Sequence, residues 1–388
     1  MGVSIWEGGK VDRLILAVEQ LGGQYNTTSA ASIVAAIRSG NIDKIPNGSV
    51  FTEHHDVYGD IKFVTRAKNM HKIAGDPTRP TITIQPLYLL SANGGTSAAT
   101  FQYDRPEAFT KVKEAIPAGS VCKFTTIAYG GWLAGDWHFT ADAAIDVGKM
   151  LCISGYQNAA LETLKVQVFD TPKATSPSAQ YTIASGDGGA TVNLGTWGTD
   201  CNHPQRVSYG SNNEAQSNFF QFLNADTGNS TMDTVFEQKT EYDMMTSQFT
   251  SLKGFLGGFS DEFRSYLGLC AIPNIANNVF EDSPYVVNTK YTHNGYFFLP
   301  SRKEVYGSNE NANEDDEVQF DYYRDIATSD ADKLMFAENA ASPTTYWLRT
   351  PHAGHAFHVR ICYAGGGGVL NFHHANVSHG AAPLAILA

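Results

Sequence analysis

Between Tyr346 and Ala388 the sequence uses a narrow alphabet. The stretch opens with Tyr346-Trp347-Leu348-Arg349-Thr350-Pro351 and closes with Gly380-Ala381-Ala382-Pro383-Leu384 before a short apolar end. Between them lie His352, His355, His358, His373, His374 and His379, six of the chain's twelve histidines. No Lys, Asp, Glu, Gln, Met, Thr or Trp occurs after Thr350. A buried strand pair can exclude those types together, but clustered histidines and the run Asn371-Phe372-His373-His374 do not suit a core. The pattern predicts a rigid frame at each end and, between the two, a surface whose side chains are chosen for contact. That is a binding signature rather than a catalytic one.

Composition narrows the setting of such a surface. A chain of 388 residues is long enough for two or three domains, each with its own core. Charged residues make up only 17%, while Gly, aromatics, Asn, Ser and Thr are plentiful, which suits a β-rich extracellular or virion protein. A net charge of −12 argues against nucleic acid, whose phosphates need a basic stripe, and against an acidic membrane surface. Cys122, Cys152, Cys201, Cys270 and Cys362 are odd in number and far apart, so buried thiols are expected rather than a disulfide framework or zinc knuckle. The start shows no basic segment followed by an apolar core, so no secretory signal is expected, and no run is long enough to span a membrane. A protein that displays a binding face without an export signal can leave its cell inside an assembled particle, as a phage does by lysis.

The chain before this stretch reads in three blocks. In residues 1–45, Val11, Leu14, Ile15, Val18 and Leu21 recur at helical spacing and stop at Gly22-Gly23. A second helix follows Thr27-Thr28-Ser29, with Ile33, Val34 and Ile37 on one face and Gly40 as its end. These two helices pack either on a neighbouring subunit or on the chain's own sheet. Residues 46–198 read as strands: Ser49–Thr52, Ile61–Val64, Thr81–Ile84, Val121–Thr125, Gly135–Thr140 and Leu164–Phe169 alternate or are β-branched. An antiparallel β domain or sandwich is expected there. His54-His55-Asp56 has no further ligand at metal-like spacing and reads as an exposed hairpin turn. Gly188-Gly189-Ala190 and Gly195-Thr196-Trp197-Gly198 mark the change of character before residues 199–388.

In that last block, Arg206–Asn213 and Ser217–Asn224 are followed by Lys253-Gly254-Phe255-Leu256, by Phe259–Phe263 and by Phe297–Gly307. Together with Tyr346–Pro351 and Gly380–Pro383 these motifs resemble the variable proteins of diversity-generating retroelements, over roughly residues 200–388. The preceding β region is similar, through weaker motifs, to what gut-phage members carry upstream. The resemblance implies an α+β fold with a C-terminal C-type lectin-like domain, the fold shared with formylglycine-generating enzymes, behind a β-rich, sandwich-like domain and a short helical segment. From the residues alone, Phe219, Phe220 and Leu223 form one apolar face, and Phe255, Leu256, Phe259, Phe263, Tyr266 and Leu267 another. Trp347 and Leu348 read as core, and Arg349 as a buried donor to carbonyls or a carboxylate.

In that family, mutagenesis of adenines turns Asn codons into codons for many residues but never for Lys, Glu, Gln, Met or Trp. The absence of those five types after Thr350 fits this signature. Phe357, Val359 and Ile361 alternate with His358, Arg360 and Cys362, so the first set should face inward and the second outward, Phe357 being an exception if it varies. The contact positions implied are His352, His355, Phe357, His358, Cys362, Tyr363, Leu370, Phe372, His373, His374, Asn376, Ser378 and His379. Aromatic and amphipathic side chains give large contact area at low entropy cost, as in antibody paratopes. Ala353, Gly354, Ala364 and Gly365–Gly368 read as tight turns.

No metal and no cofactor is expected. His355 with His358, or His373, His374 and His379, have suitable nitrogens, but diversification already accounts for clustered His. The acidic run Asn309–Glu317 lacks the pattern of an EF-hand and the Glu-Pro-Asn and Gln-Pro-Asp motifs of calcium lectins, so a solvated insertion is expected. No Ser-His-Asp set, phosphate loop or carboxylate pair points to an enzyme, and Cys270 and Cys362 lack a catalytic context. The expected function is therefore ligand binding: a phage tail receptor-binding protein, a homo-oligomer such as a trimer on the virion or a protein at the host cell surface. Its diversified face would take a bacterial surface receptor, protein or glycan, and set host tropism. The alternative is a structural virion or cell-surface protein whose lectin-like domain makes subunit contacts.

Overall fold

A computed structural model describes residues 29–104, 108–126, 134–153, 161–170, 176–196, 212–225, 254–275, 290–310, 318–353 and 358–388. The helix expected over Val11–Leu21 lies outside them. Helix α1, Ala30–Arg38, starts at a capping box in which Ser29 and Ser32 satisfy each other's backbone N–H. Just beyond its end, Gly40 takes a φ of +72°. Its buried face, Ala30, Ile33, Val34 and Ile37, shares a core with Phe51, Phe63, Phe263 and Leu387. This helix thus packs within its own chain, each fully buried Ile contributing about 1.5–3 kcal/mol over exposure.

Strands β1 (Val50–His55), β2 (Gly59–Lys68) and β3 (Ile82–Pro86) fall where the alternating runs were expected. A two-residue strand β4, Phe101–Gln102, follows. After the β unit described below come helix α2 (Asn218–Asn224), β5 (Leu267–Gly268), β6 (Phe297–Phe298) and helix α3 (Arg302–Tyr306). The chain ends with β7 (Tyr346–Pro351), β8 (His358–Tyr363), β9 (Val369–His374), β10 (Ser378–His379) and β11 (Leu384–Leu387).

The largest sheet runs β1-β2-β3-β11-β5, with β6 also pairing to β11. The last strand therefore inserts beside β3, with Ala385 opposite Ile84 and Leu387 opposite Ile82. Leu384-Ala385-Ile386-Leu387 is apolar at every position and all four residues are fully buried, as a strand covered on both faces requires. Sheet pairing thus crosses the boundaries expected at 45 and 198: residues 30–103 share one core with residues 219–387. The correction has a plain cause, since local patterns show that a segment is a strand but not which distant strand it joins.

A second core lies wholly within residues 112–194, formed by Cys122, Phe124, Trp137, Phe139, Val166, Val168, Tyr181 and their neighbours. Two four-stranded sheets supply it. One joins Ala108–Lys111, Met150–Ile153, Lys165–Phe169 and Ala179–Thr182, and the other Ser120–Thr126, Gly135–Ala141, Ala184–Ser185 and Val192–Thr196. Pairing is antiparallel except between Val192–Thr196 and Ser120–Thr126. The strict alternation of burial along Ser120–Thr126 is the period-two pattern read from its sequence. The chain is a β-rich α+β protein.

His55 departs from the expected exposed turn. It ends β1 fully buried, its Nε2 is 2.9 Å from the Phe255 carbonyl, and its ring lies against Phe255 and Phe259 at 4.9 and 4.7 Å. Strand alternation sends His54 to solvent beside Asp60 and His55 into the core. Gly258 permits this: a Cβ there would stand 2.2 Å from His55 Nε2.

Candidate ligand-binding face

The frame is built on strand β7, every residue of which is buried. Arg349 is fully buried and donates to both oxygens of Glu304, Nη1 to Oε2 at 2.8 Å and Nη2 to Oε1 at 2.6 Å. It also donates to the carbonyls of Leu299 at 2.8 Å and Pro273 at 3.3 Å. Glu304 closes the capping box of α3 by accepting from Ser301 N–H, and its Oε1 lies 2.8 Å from His71 Nε2. His71 Nδ1 reaches Thr83 Oγ1 on β3, also at 2.8 Å. Burial alone would raise the Glu304 carboxyl, but Arg349 and then His71 pull it down to about 2. A charge buried this deeply is tolerated only because its partners are complete.

Trp347 forms the other half of the frame. Its ring is fully buried, its Nε1 donates to the Phe101 carbonyl at 2.7 Å, and Tyr103 lies 5.4 Å away. Its backbone N–H donates to Gly380 O at 3.0 Å, and Gly380 N–H donates to Thr345 O at 2.8 Å. These bonds tie the two ends of the histidine-rich stretch together. The approach is close at Gly380, where a Cβ would sit 3.0 Å from Leu89 Cδ1 and 3.3 Å from Thr345 O.

On this frame β7, β8 and β9 form a three-stranded sheet with β9 at the edge. Register places His358 opposite His374, Arg360 opposite Phe372 and Cys362 opposite Leu370. The His358 and His374 rings lie parallel within 8° at 4.7 Å. Phe372 stands between His352 at 4.2 Å and His358 at 4.8 Å, with the Arg360 guanidinium 5.6 Å from its centre. His373, opposite the buried Val359, stays exposed on the other face, and there it meets His379. Tyr363, Val369 and Phe372 are three of the five large apolar side chains that stand exposed among the described residues, the others being Val147 and Val318. These three lie on two adjacent strands, β8 and β9, rather than scattered over the molecule.

The candidate positions distribute as follows. His352, His358, Tyr363, Leu370, Phe372, His373, His374, Asn376, Ser378 and His379 all retain exposed or half-buried surface on or beside this sheet. Val359 and Ile361 point inward as expected. His355 and Phe357 lie outside the described residues. Cys362 is a correction: it is fully buried, and its Sγ lies 3.5 Å from Lys333 O and 3.6 Å from Gly368 O. The outward face of β8 is covered at that end by residues 330–334 and Tyr306, so alternation no longer leads to solvent. Burial pushes its thiol up to about 11, which removes it from both contact and thiolate chemistry.

Sequence reading missed Glu310. In place of a solvated residue, it is a nearly buried carboxylate that accepts from Arg360 through Nε and Nη2, both at 2.6 Å, from Arg302 Nη1 at 2.5 Å and from Ala353 N–H at 2.8 Å. Burial would raise its carboxyl, but Arg360, Ala353 N–H and Arg302 hold it below the ordinary carboxylate range. Glu310 so fixes Arg360 beside Phe372 and the start of the loop carrying His352. No local pattern links position 310 to 360. The remainder of the acidic run, 311–317, lies outside the described residues.

The electrostatics of the histidines give one prediction. Burial, and then His373, lower His379 to about 3, and burial lowers His373 as well. A folded pKa below the unfolded 6.5 means stability present above about pH 6.5 and lost as pH falls toward 3. In an NMR titration the His379 ring signals should stay put between pH 7 and 5, where an exposed imidazole titrates. A midpoint near 6.5 would show that its packing against Trp347 is absent in solution.

Among the described residues no group of three or more His, Cys, Asp or Glu is arranged to hold a metal ion, and no helix is long and apolar enough to cross a membrane. Residues 200–384 match a family described as a domain of unknown function (DUF6273). That stretch takes in β7–β10 and Glu304, yet omits β1–β3, which complete the largest sheet, and the frame partners His71, Thr83 and Phe101. Neither the curated proteins nor the solved structures compared with the chain contain a match.

Proposed function

We propose that this chain is the variable, ligand-binding protein of a diversity-generating retroelement, used as a receptor-binding protein on a phage tail. The observation that carries the reading is the separation of two kinds of residue within one short stretch. Trp347, Leu348 and Arg349 are fully buried and held by long-range hydrogen bonds. The residues after them, drawn from the restricted alphabet, stand on an edge sheet and present rings to solvent. A frame whose stability does not depend on the displayed side chains is what lets those side chains vary without unfolding the protein. Among the described residues of the face, the acid Glu310 is already paired with two arginines. Aromatic anchors with a polar surround are the arrangement expected for recognition of a bacterial surface receptor.

The test lies in the DNA. A reverse-transcriptase gene beside the coding sequence, together with an adenine-rich near-copy of the segment encoding residues 346–388, is the expected finding. Mismatches between the copies should fall on codons of the exposed positions and spare those of Trp347, Leu348, Arg349 and Cys362. Absence of both elements would overturn the reading and favour a scaffold that uses this domain for subunit contacts.

A further inference from the structure

His373 Nδ1 and His379 Nε2 face each other at 2.7 Å. The ring centroids are 4.9 Å apart and the planes differ by 25°. The centroid separation exceeds the nitrogen separation by about the two ring radii, so the rings meet edge to edge, one nitrogen donating its proton to the in-plane lone pair of the other. His379 is fixed from behind: the Trp347 ring meets it at 4.6 Å, and its backbone pairs with Phe101 on β4. His373 lies at the surface, where its ring can turn.

We propose that His373 and His379 form an open two-histidine site for a divalent transition ion of the zinc type, completed by water or by a donor atom of a bound ligand. Imidazole nitrogen is a preferred zinc ligand at about 2.0–2.1 Å, and tetrahedral geometry then sets the two nitrogens about 3.3 Å apart. Widening the present contact to that distance needs a shift of under about 1 Å, which rotation of the surface ring His373 supplies. The proton in the contact moves to the outer nitrogen of its own ring, a change of neutral tautomer, so both rings remain neutral ligands and no charge is lost. At pH 7.5, above the ordinary imidazole range, neutral rings can offer their lone pairs to a metal ion. Backing of His379 by Trp347 preorganises one ligand, in the way outer contacts orient metal-bound imidazoles. Two protein ligands are fewer than the four of a structural zinc site or the three of a catalytic one, so two positions are left for water or for donor atoms of a bound ligand. The inference rests on these two rings and stands or falls apart from the reading of the face as diversified.

Calorimetric titration of the untagged full chain with zinc chloride at pH 7.5 tests it. One saturable site is expected. Changes in an outer contact already cost about 10–100-fold in affinity, so His373→Gln and His379→Gln should each weaken binding at least about tenfold. His358→Gln with His374→Gln should leave it unchanged. His373 is exposed, so His373→Gln keeps the fold and decides the matter even if His379→Gln does not. Absence of saturable binding in the folded wild type, equal affinity in His373→Gln, or loss in the His358/His374 variant would each overturn the assignment.

Discussion

Glu304→Gln should cost about 3–5 kcal/mol of folding stability, the usual loss when one partner of a buried pair is removed. The amide offers Arg349 one weak acceptor where it had two charged ones, and it leaves a fully buried guanidinium uncompensated. The same change disturbs the Ser301 capping box and the contact with His71, so three segments of the chain lose a shared partner. Urea denaturation at pH 7 measures the effect. Replacing both partners, Glu304→Leu with Arg349→Met, should recover much of the loss, because no unpaired charge then remains. The pH dependence follows from the same pair. The folded pKa of about 2 lies below the unfolded 4.5, so the contribution is fully present above pH 4.5 and is lost as pH falls toward 2. Wild type should lose stability in that window more steeply than Glu304→Gln. Equal stability of Glu304→Gln and wild type at pH 7 would show that the frame does not hang on this pair.

Trp347→Ala and the triple change His358→Ala, Phe372→Ala, His374→Ala should behave in opposite ways. Removing the fully buried indole should cost about 3–5 kcal/mol, since the cavity adds to the lost transfer energy and the Phe101 carbonyl loses its donor. The triple variant removes rings that are exposed or half-buried, His358 on β8 and Phe372 and His374 on the edge strand β9, and each should change stability by no more than about 0.5 kcal/mol. Its adsorption to host cells should be abolished, because a few aromatic anchors dominate most interfaces. Thermal melting and a cell-adsorption assay separate the two. An unfolded triple variant beside a folded Trp347→Ala would mean that frame and surface are interchanged. Retained adsorption by a folded triple variant would move the contact face elsewhere, most directly to the β unit of residues 108–196.

Several features were legible from residue order because they depend on neighbours a few positions away. The cap at Ser29 and the apolar face of α1 are one example, and the strand at Ser120–Thr126 is another. Burial of Tyr346–Pro351 and the carboxylate and carbonyl partners of Arg349 were readable as well, since a lone Arg in an apolar strand has few other solutions. What local order settles is therefore element type, the inward set Val359 and Ile361, and the restricted alphabet of the displayed face.

Tertiary structure alone decided the rest. It paired Leu384–Leu387 with β3 and joined His71 to Glu304 across 233 positions. It turned Glu310 from a solvated acid into the clamp on Arg360 and buried Cys362 under the segment around Lys333. In each case the energy comes from a contact between distant segments. A carboxylate is equally at home in water or between two guanidiniums, and a Cys on an outward strand position is exposed until something is laid over it. Periodicity records which side of its own element a residue occupies, and only the folded chain determines what covers that side.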